Sequence, residues 1–379
     1  MTSTGADGGR SRPPGVRVVY YTDAQGWGGA EQVLATVLAG LPSEVSASVL
    51  GSDHDVCHRI AATRPGTEVV VVPRRHRLSP WTWLTLRSAL ARLRPDVVHV
   101  NSTWPLSSVE MLFALQLLRS PVAVAHEHLP MPMASSLHRL LKRLLSRRLD
   151  AHVVVGERAG QELAAYTGLS ADAFTVVPNG VLPYAGPPAE RVTAGPTVLG
   201  MGRFTPQKAF DVLVEAVAAL PYATLLLVGA RDRGEEAAAE ADAEAHGLPR
   251  VRLHVRPWES EPRRWFGAAD VFVLSSRFEA APLVILEALA SGTPVVATDA
   301  GSAREVLTQL DPRLVVPVDD AAALAGAIER VIDDPELAAD LGRRGQALVE
   351  RRYSAHAMAT SFSELYRRLL ERRRAEMVR

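Results

Sequence analysis

Cysteine and lysine are both scarce in this chain of 379 residues. Cys57 is the only cysteine, which excludes an intramolecular disulfide and a cysteine-rich metal site. Lysine and arginine together number 42, yet only Lys142 and Lys208 are lysines. Arginine is therefore the usual basic residue of this protein, and the position of each lysine is more informative than that of an arginine.

The chain also lacks net charge, long apolar runs and an apolar leader. Its 42 basic side chains are balanced by 42 acidic ones, whereas a nucleic-acid partner usually goes with a basic excess. No apolar run approaches the length of a membrane span. Residues 1–15 are rich in Gly, Ser, Arg and Pro, unlike a signal peptide. We therefore expect a flexible tail at 1–15, no nucleic-acid partner and a cytoplasmic location.

What the sequence does contain is an alternation of short β-branched runs with segments of helical apolar spacing. Such alternation predicts an α/β fold with parallel sheets covered by helices on both faces. It is interrupted near residues 186–196, which are rich in Pro, Gly and Ala, as a linker would be. We predict two Rossmann-like doubly wound domains, 16–185 and 197–352, facing each other across a cleft, followed by a terminal helix at 353–379. The predicted strands are Val16–Tyr21, Glu68–Val72, Asp96–Val100, Val122–Ala125, His152–Val155, Phe174–Val177, Thr197–Met201, Thr224–Val228, Val251–Val255, Val271–Leu274, Pro294–Ala297 and Leu314–Val316.

Ligands bind at the carboxyl ends of the strands in such sheets, and four motifs fall there. The first contains Gly28 and Gly29, between the first strand and the first helix. Glycine lets the backbone come close to a ligand, and a helix N-terminus offers free N–H groups to an anion. A tight turn that needs glycine for steric reasons explains the motif equally well, and the dinucleotide-binding fingerprint is not matched because Glu31 replaces its third small residue.

The second motif is His126, at the end of a predicted strand. A histidine there can face the cleft and act as acid, base or hydroxyl donor, although a lone histidine is more often a structural hydrogen-bonding group. With His128 it could suggest a metal pair, but no carboxylate cluster completes the ligand set. We therefore expect no metal and no cofactor.

The third motif carries Arg203 and Lys208, five residues apart at a loop-to-helix junction with no acid between them. Two such cations suit a diphosphate, with arginine as a fork and lysine as a compact charge. A solvated surface pair is the alternative. The rarity of lysine and the position at a strand end favour the anion site.

The fourth motif runs from Ser275 to Leu289 and contains Glu279 and Glu287 on either side of a helix start at Pro282. A carboxylate accepts hydrogen bonds from a diol, and the free N–H groups of Leu283 and Val284 can meet a phosphate. A capping carboxylate and a surface glutamate are the alternative, which leaves the Ser-Arg-Phe-Glu loop unexplained.

In this order the four motifs resemble those of the family 4 retaining glycosyltransferases, which have the GT-B fold. Further matches are Pro178–Val181 and Ser291–Asp299, and the resemblance covers nearly all of the chain after Gly15. The chain departs from the family pattern at Ala209 and Ala280, where glycine is usual, and at Ala281, where an aromatic residue is usual. These changes bear on the identity of the donor sugar more than on activity.

The resemblance implies an acceptor-side first domain, a nucleotide-sugar-binding second domain and a terminal helix that crosses back to the first. It also implies transfer, with retention, from a nucleotide diphosphate sugar to an unidentified hydroxyl or amine acceptor, which could be a small metabolite, a lipid or a polysaccharide. UDP-sugars are the most frequent donors in the family. Arg203 and Lys208 would hold the diphosphate, and Glu287 the ribose. His126 would contact the transferred sugar. The remaining donor contacts implied are Gly28, Gly29, Glu279, Ala281, Pro282, Leu283 and Val284.

Three alternatives remain at this point. A GT-B sugar epimerase shares the fold without an acceptor. A two-domain solute-binding protein has a similar outline but is usually exported. A lipid glycosyltransferase working at a membrane surface is the third, because Leu137–Arg148 is a basic amphipathic stretch that could dock on anionic lipid. We favour instead an ordinary helix that covers the sheet and lines its outer face with arginine.

Overall fold

The computed structural model describes residues 15–73, 79–118, 121–259 and 261–378. Of the predicted tail, residues 1–14 lie outside the described residues. Within the described part, two all-parallel sheets have the strand orders β3-β2-β1-β4-β5-β6-β7 and β10-β9-β8-β11-β12-β13. Both orders reverse direction beside their first strand, as in doubly wound folds. The predicted fold class is confirmed.

The first sheet is covered on both faces by helices, and its central strands are buried apolar runs because both faces are enclosed. Its strands are β1 Val16–Thr22, β2 Val45–Gly51, β3 Glu68–Val71, β4 Val97–Ser102, β5 Val122–Glu127, β6 Ala151–Val154 and β7 Phe174–Val176. Its helices are α1 Gly29–Gly40, α2 His54–Ala61, α3 Pro80–Leu93, α4 Val109–Gln116, α5 Ser136–Ser146 and α6 Glu157–Thr167.

The second sheet repeats this plan around its own apolar core. Its strands are β8 Thr197–Met201, β9 Thr224–Ala230, β10 Leu253–Pro257, β11 Val271–Leu274, β12 Val295–Thr298 and β13 Val315–Val316. The helices that follow are α7 Phe210–Ala218, α8 Arg233–Ala245, α9 Leu283–Ala290, α10 Ala303–Leu307, α11 Ala321–Ile332, α12 Pro335–Arg352 and α13 Ala355–Val378.

Helix α13 follows the second domain but packs on the first. Phe362 and Tyr366 are buried in the first domain's core, and Gly40 of α1 allows the approach. A Cβ on Gly40 would lie 2.6 Å from the carbonyl oxygen of Ala355, so a larger residue there would push the two helices apart. The terminal helix therefore ties the two domains together on the side where the chain crosses between them.

A second link between the domains lies at the start of α6. The carboxylate of Glu305, on α10, accepts hydrogen bonds from the backbone N–H groups of Glu157 at 3.1 Å and Arg158 at 2.9 Å. These N–H groups belong to the first turn of α6, where the helix dipole favours a negative charge. A Cβ on Gly156 would come within 2.9 Å of the same carboxylate, so a larger residue there would shift the Glu305 side chain.

Helix α5 differs from the arrangement expected from sequence. Leu137, Leu140 and Leu144 are exposed on its outer side, whereas Lys142 is buried against the domain. Arg139, Arg143 and Arg147 are exposed, in line with the expected arginine-lined outer face, but leucines share the exposed surface of the helix. None of the helices in the described ranges combines the length and apolar content needed to cross a bilayer.

Candidate active site

The predicted site residues follow strands on either side of the point where each sheet reverses order. Gly28 and Gly29 follow β1 in the first domain. In the second domain, Arg203 and Lys208 follow β8, and the loop containing Glu279 follows its neighbour β11. Because parallel strands end at one edge of a sheet, the last two loops lie side by side where such folds bind ligands.

Lys208 and Glu279 are in direct contact across these two loops. Lys208 Nζ lies 2.6 Å from Glu279 Oε1, and both side chains are largely buried. Ser276 Oγ donates to the same Glu279 oxygen at 2.8 Å. The sequence placed no acid between Arg203 and Lys208, but the fold brings one from 71 residues further along the chain. Without a ligand, the lysine charge is therefore already balanced.

The loop after β8 is held in shape by tight backbone contacts. A Cβ on Gly229 of β9 would lie 2.1 Å from the carbonyl oxygen of Gly202, so the start of the loop after β8 lies directly against strand β9. Gly202 itself has φ +149°, and the side chain of Lys208 lies across it. Ala209 has φ 49°, in the left-handed region that favours glycine. Ala209 therefore has a backbone conformation that a glycine would adopt without strain.

Arg277 fastens the two loops together, and sequence reasoning gave it no role. Its guanidinium contacts Asp211 at 2.6 Å and Asp319 at 2.7 Å, and donates to the carbonyl oxygen of Pro206 at 2.8 Å. Its backbone N–H donates to the carbonyl oxygen of Gln207. Arg277 thus sets the distance between the lysine loop and the glutamate loop. Its place within the Ser-Arg-Phe-Glu segment was the available signal.

Arg203, unlike Lys208, contacts no carboxylate of the described residues. Its side chain is exposed. In the described ranges it makes no ion pair and no side-chain hydrogen bond. The fold therefore leaves one arginine fork available at this sheet edge, beside a lysine held by a carboxylate.

Helix α9 presents an open N-terminus at the end of the glutamate loop. Its first residues are Leu283 and Val284, and Pro282, in extended conformation, precedes them without a capping side chain. The backbone N–H groups of Leu283 and Val284 have no hydrogen-bond partner among the described residues, whereas that of Ile285 donates to the carbonyl oxygen of Pro282 at 3.2 Å. Leu283 packs against the cores of both domains, so this helix start lies where the domains meet. Ala281 packs there against the cluster around Val155.

Glu287 lies in the second turn of α9 and does not contact Glu279 or Lys208. In the described part of the chain its carboxylate has no hydrogen-bond partner. Burial raises its pKa, the nearby Glu261 adds to this, and Arg263 opposes it. Arg263 is itself held by Glu261 through contacts of 2.7 and 2.8 Å. A half-buried carboxylate without a partner has its accepting capacity free for a ligand.

Gly28 and Gly29 differ in the space that a Cβ atom would have at each position. A Cβ on Gly28, the residue before α1, would lie 3.2 Å from the carboxylate of Glu31, whereas a Cβ on Gly29 would meet nothing within 4 Å. The steric explanation therefore applies to Gly28 and not to Gly29. Gly29 begins α1, with exposed backbone N–H groups at a helix start.

His126 is placed in the interior. Its ring has no exposed surface, and neither ring nitrogen has a hydrogen-bond partner. It packs between His128, with ring centroids 4.2 Å apart, and Phe362 of α13 at 5.0 Å. Burial lowers its pKa well below the usual range, and the neighbouring His128 and His99 add to this effect. Its expected contact with the transferred sugar stays a prediction, and this conformation offers the ring no opening to solvent.

The described residues contain no group of three or more His, Cys, Asp and Glu side chains that could hold a metal ion. The charges at the sheet edge are instead those of arginine, lysine, glutamate and a helix N-terminus. Such a set can bind an anion next to a hydroxyl-rich group, because the cations and N–H groups donate while the carboxylates accept.

Comparison with known proteins covers most of the chain. The family described as Glycosyltransferase Family 4 matches residues 27–183, and Glycosyl transferases group 1 matches residues 189–348. The lipopolysaccharide core biosynthesis glycosyltransferase LpsE of Rhizobium meliloti is 34% identical over 171 residues, 45% of this chain and 49% of that protein. The match thus spans about half of that relative. The phosphatidyl-myo-inositol mannosyltransferase of Mycolicibacterium smegmatis is 29% identical over 84% of both chains.

Solved structures share the whole fold at low identity. A glycosyltransferase from Rickettsia africae has a TM-score of 0.79 at 17% identity, covering 94% of this chain and 99% of its own. HepE of Anabaena, in complex with UDP, has a TM-score of 0.76 at 19% identity, covering 92% and 99%. The two family matches, one on each domain, together with this shared architecture, establish that the chain belongs to the family 4 glycosyltransferases of the GT-B fold.

Proposed function

We propose that this protein transfers a sugar from a UDP-sugar to a hydroxyl group of a lipid or glycan, and that the anomeric configuration is retained. The observation that carries the proposal is the sheet edge where unpaired Arg203 lies beside the Lys208–Glu279 pair. A diphosphate would bind the arginine fork and compete with Glu279 for the lysine. The α9 N-terminus supplies further N–H donors.

The other groups fit the remaining parts of such a donor. Glu287 has free accepting capacity for the ribose diol, and Glu279, once displaced from Lys208, would face the sugar. The open backbone at Gly29 would approach the phosphates from the first domain. The structure of HepE has been solved with UDP and with UDP-glucose, which supports UDP as the nucleotide of the donor. Names among the relatives, such as phosphatidyl-myo-inositol mannosyltransferase, support a lipid or glycan acceptor.

In the proposed reaction the acceptor oxygen bonds to the anomeric carbon on the face from which the phosphate leaves. The bond between that carbon and the phosphate oxygen breaks, and the acceptor proton passes to the departing phosphate. Arg203 and Lys208 stabilise the charge that grows on the diphosphate. This front-face course and the absence of a metal rest on the resemblance to the family.

A thermal-shift panel of nucleoside diphosphates and their sugars tests the donor assignment, because a ligand that binds only the folded state raises Tm. We expect one UDP-sugar to give the largest shift, and Arg203→Ala to abolish that shift. Arg351→Ala, an exposed arginine without an ion pair on α12, is the matched control. A panel without any shift, or an unchanged shift in Arg203→Ala, would contradict the proposed site. Product analysis separates transfer to an acceptor from epimerisation of the donor.

A further inference from the structure

Helix α5 turns leucines to solvent and buries its only lysine. Leu137, Leu140 and Leu144 are 71%, 53% and 45% exposed. Spacings of three and four residues place these side chains on one face of the helix. Single exposed leucines are common, but a helix that only covered a sheet would turn such a stripe inward.

A buried ion pair holds the helix in this orientation. Lys142 Nζ lies 2.7 Å from Glu127 Oε1, and the two side chains are 1% and 0% exposed. His152 Nδ1 lies 3.2 Å from the same oxygen. Turning the leucines inward would pull the lysine away and leave Glu127 as an unpaired buried charge, which is strongly unfavourable. The pair therefore fixes which side of α5 meets the surroundings.

The exposed face is also uniformly basic. Arg139, Arg143 and Arg147 are exposed and follow one another at intervals of four residues, flanking the leucines. No acidic residue occurs between Glu127 and Asp150. Among the described residues, none of these three arginines makes an ion pair, although Arg143 donates to the carbonyl oxygen of Gly168. Apolar side chains beside unneutralised arginines suit a surface that is both apolar and anionic.

The position of this face relates it to the candidate active site. Helices in a parallel sheet begin at the carboxyl edge of the strands, so the first turns of α5 lie at the edge that carries the site. Met131, just before α5, is 46% exposed. Trp81 and Leu84, in the first turns of α3, are 72% and 47% exposed, and α3 and α5 both pack against α4. Further exposed apolar side chains thus lie at the same edge of the first domain.

We propose that the α5 surface, defined as Leu137, Leu140 and Leu144 with Arg139, Arg143 and Arg147, docks on an anionic lipid bilayer. The arginines contact lipid phosphates, and the leucines enter the boundary between headgroups and acyl chains. The helix lies in the plane of the interface and does not cross it. The proposal is independent of the donor site, because none of the six residues belongs to it.

Co-sedimentation of the full chain with vesicles tests the proposal without donor or acceptor. We expect the protein to sediment with phosphatidylcholine–phosphatidylglycerol vesicles, much less with phosphatidylcholine alone, and less as salt is raised. Arg139→Gln with Arg147→Gln should lower the partition coefficient by about 30-fold, since each basic residue near an anionic surface contributes roughly fivefold. Leu137→Ser with Leu140→Ser should also lower it by at least about tenfold.

Matched controls distinguish docking through the α5 surface from nonspecific effects of net charge and of exposed apolar side chains. Arg343→Gln with Arg351→Gln removes two exposed arginines from α12, and Val251→Ser removes an apolar side chain that is 82% exposed on the second domain. These controls should bind vesicles like the unmodified protein. All variants should keep the Tm of the unmodified protein, since every changed side chain is exposed. Failure of the unmodified chain to sediment with anionic vesicles, or equal binding by the α5 variants and the controls, would overturn the proposal.

Discussion

Glu279 occupies the position at Lys208 that an incoming phosphate would need. The contact of 2.6 Å joins the carboxylate to the ammonium group, and Ser276 holds the same carboxylate oxygen. We expect a donor that binds through Lys208 to compete with Glu279 for the ammonium group and to leave the carboxylate beside the ligand. We therefore expect the two residues to have opposite effects on the binding of a nucleoside diphosphate.

We expect Lys208→Ala to lower kcat/KM for transfer by about 100-fold, roughly 3 kcal/mol, because the leaving diphosphate loses a cation. Glu279→Gln should instead bind free nucleoside diphosphate several-fold more tightly, since Lys208 is released and a negative charge near the phosphates is removed. Its kcat should fall, because the carboxylate no longer faces the positive charge that develops on the sugar. Titration calorimetry and steady-state kinetics check both. Weaker diphosphate binding by Glu279→Gln would show that the pair does not compete with the ligand.

Glu287 should make donor binding depend on pH. Its pKa is raised, chiefly by burial, so the carboxylate becomes protonated at a higher pH than an exposed glutamate would. A protonated carboxyl group accepts hydrogen bonds from a diol less well, so KM for the donor should rise as the pH falls towards that pKa. Glu287→Gln should raise KM at neutral pH, leave kcat nearly unchanged and remove this pH dependence. A pH profile of KM that is the same in both proteins would contradict the ribose role.

Gly29→Ala tests whether the first domain approaches the donor through its backbone. The added methyl meets no protein atom within 4 Å, so the variant should fold with unchanged Tm. If phosphate lies against this backbone, the methyl should raise KM for the donor by at least about tenfold. Gly26→Ala is the matched control, because a Cβ there is equally free and lies outside the helix start. Similar kinetics for the two variants would remove Gly29 from the donor site.

The sequence was sufficient for the alternation of strands and helices and for the loops that carry Arg203, Lys208 and Glu279. It was not sufficient for β2, which was missing from the predicted strands because serines alternate with its small apolar residues. The sequence also did not indicate the ion-pair partners of the two lysines. Lys208 contacts Glu279 from another loop, and Lys142 contacts Glu127 inside the first domain. Helical spacing cannot tell which face is buried when an ion pair fixes the rotation, so the sequence indicates the arginines on the outer face of α5 but not the leucines that are exposed with them.

Metal dependence gives a fourth test. The proposed phosphate contacts are all protein groups, so transfer should continue unchanged in excess EDTA. Activity is compared before and after chelation, with and without added Mg²⁺ or Mn²⁺. Complete loss in EDTA that a divalent ion restores would mean that a metal shares the role given to Arg203 and Lys208.

Acid should destabilise the first domain through its buried histidines. Burial lowers the pKa of His99 to about 3 and of His128 to about 3, and the pKa of His126 lies well below its usual range. The unfolded chain therefore takes up protons below pH 6.5 that the folded protein does not, so the stability present at neutral pH is lost as the pH falls from 6.5 towards 3. His99 and His128 should each contribute about 2 kcal/mol to this loss between pH 7 and pH 5, and His126 should act in the same direction. Glu127 acts in the same direction at lower pH: burial alone would raise its pKa, but Lys142 and His152 lower it to about 2.

Urea unfolding of His126→Leu at pH 7 and pH 5 isolates one of these contributions. The leucine leaves no unpaired ring nitrogen in the core, so the variant should fold, and its loss of stability between the two pH values should be smaller than that of the unmodified protein. His356→Leu, at an exposed position on α13, is the matched control and should lose as much stability as the unmodified protein. An equal pH dependence in His126→Leu would mean that His126 is able to take up a proton in the folded state. The ring would then be open to water in solution, as its expected contact with a sugar requires.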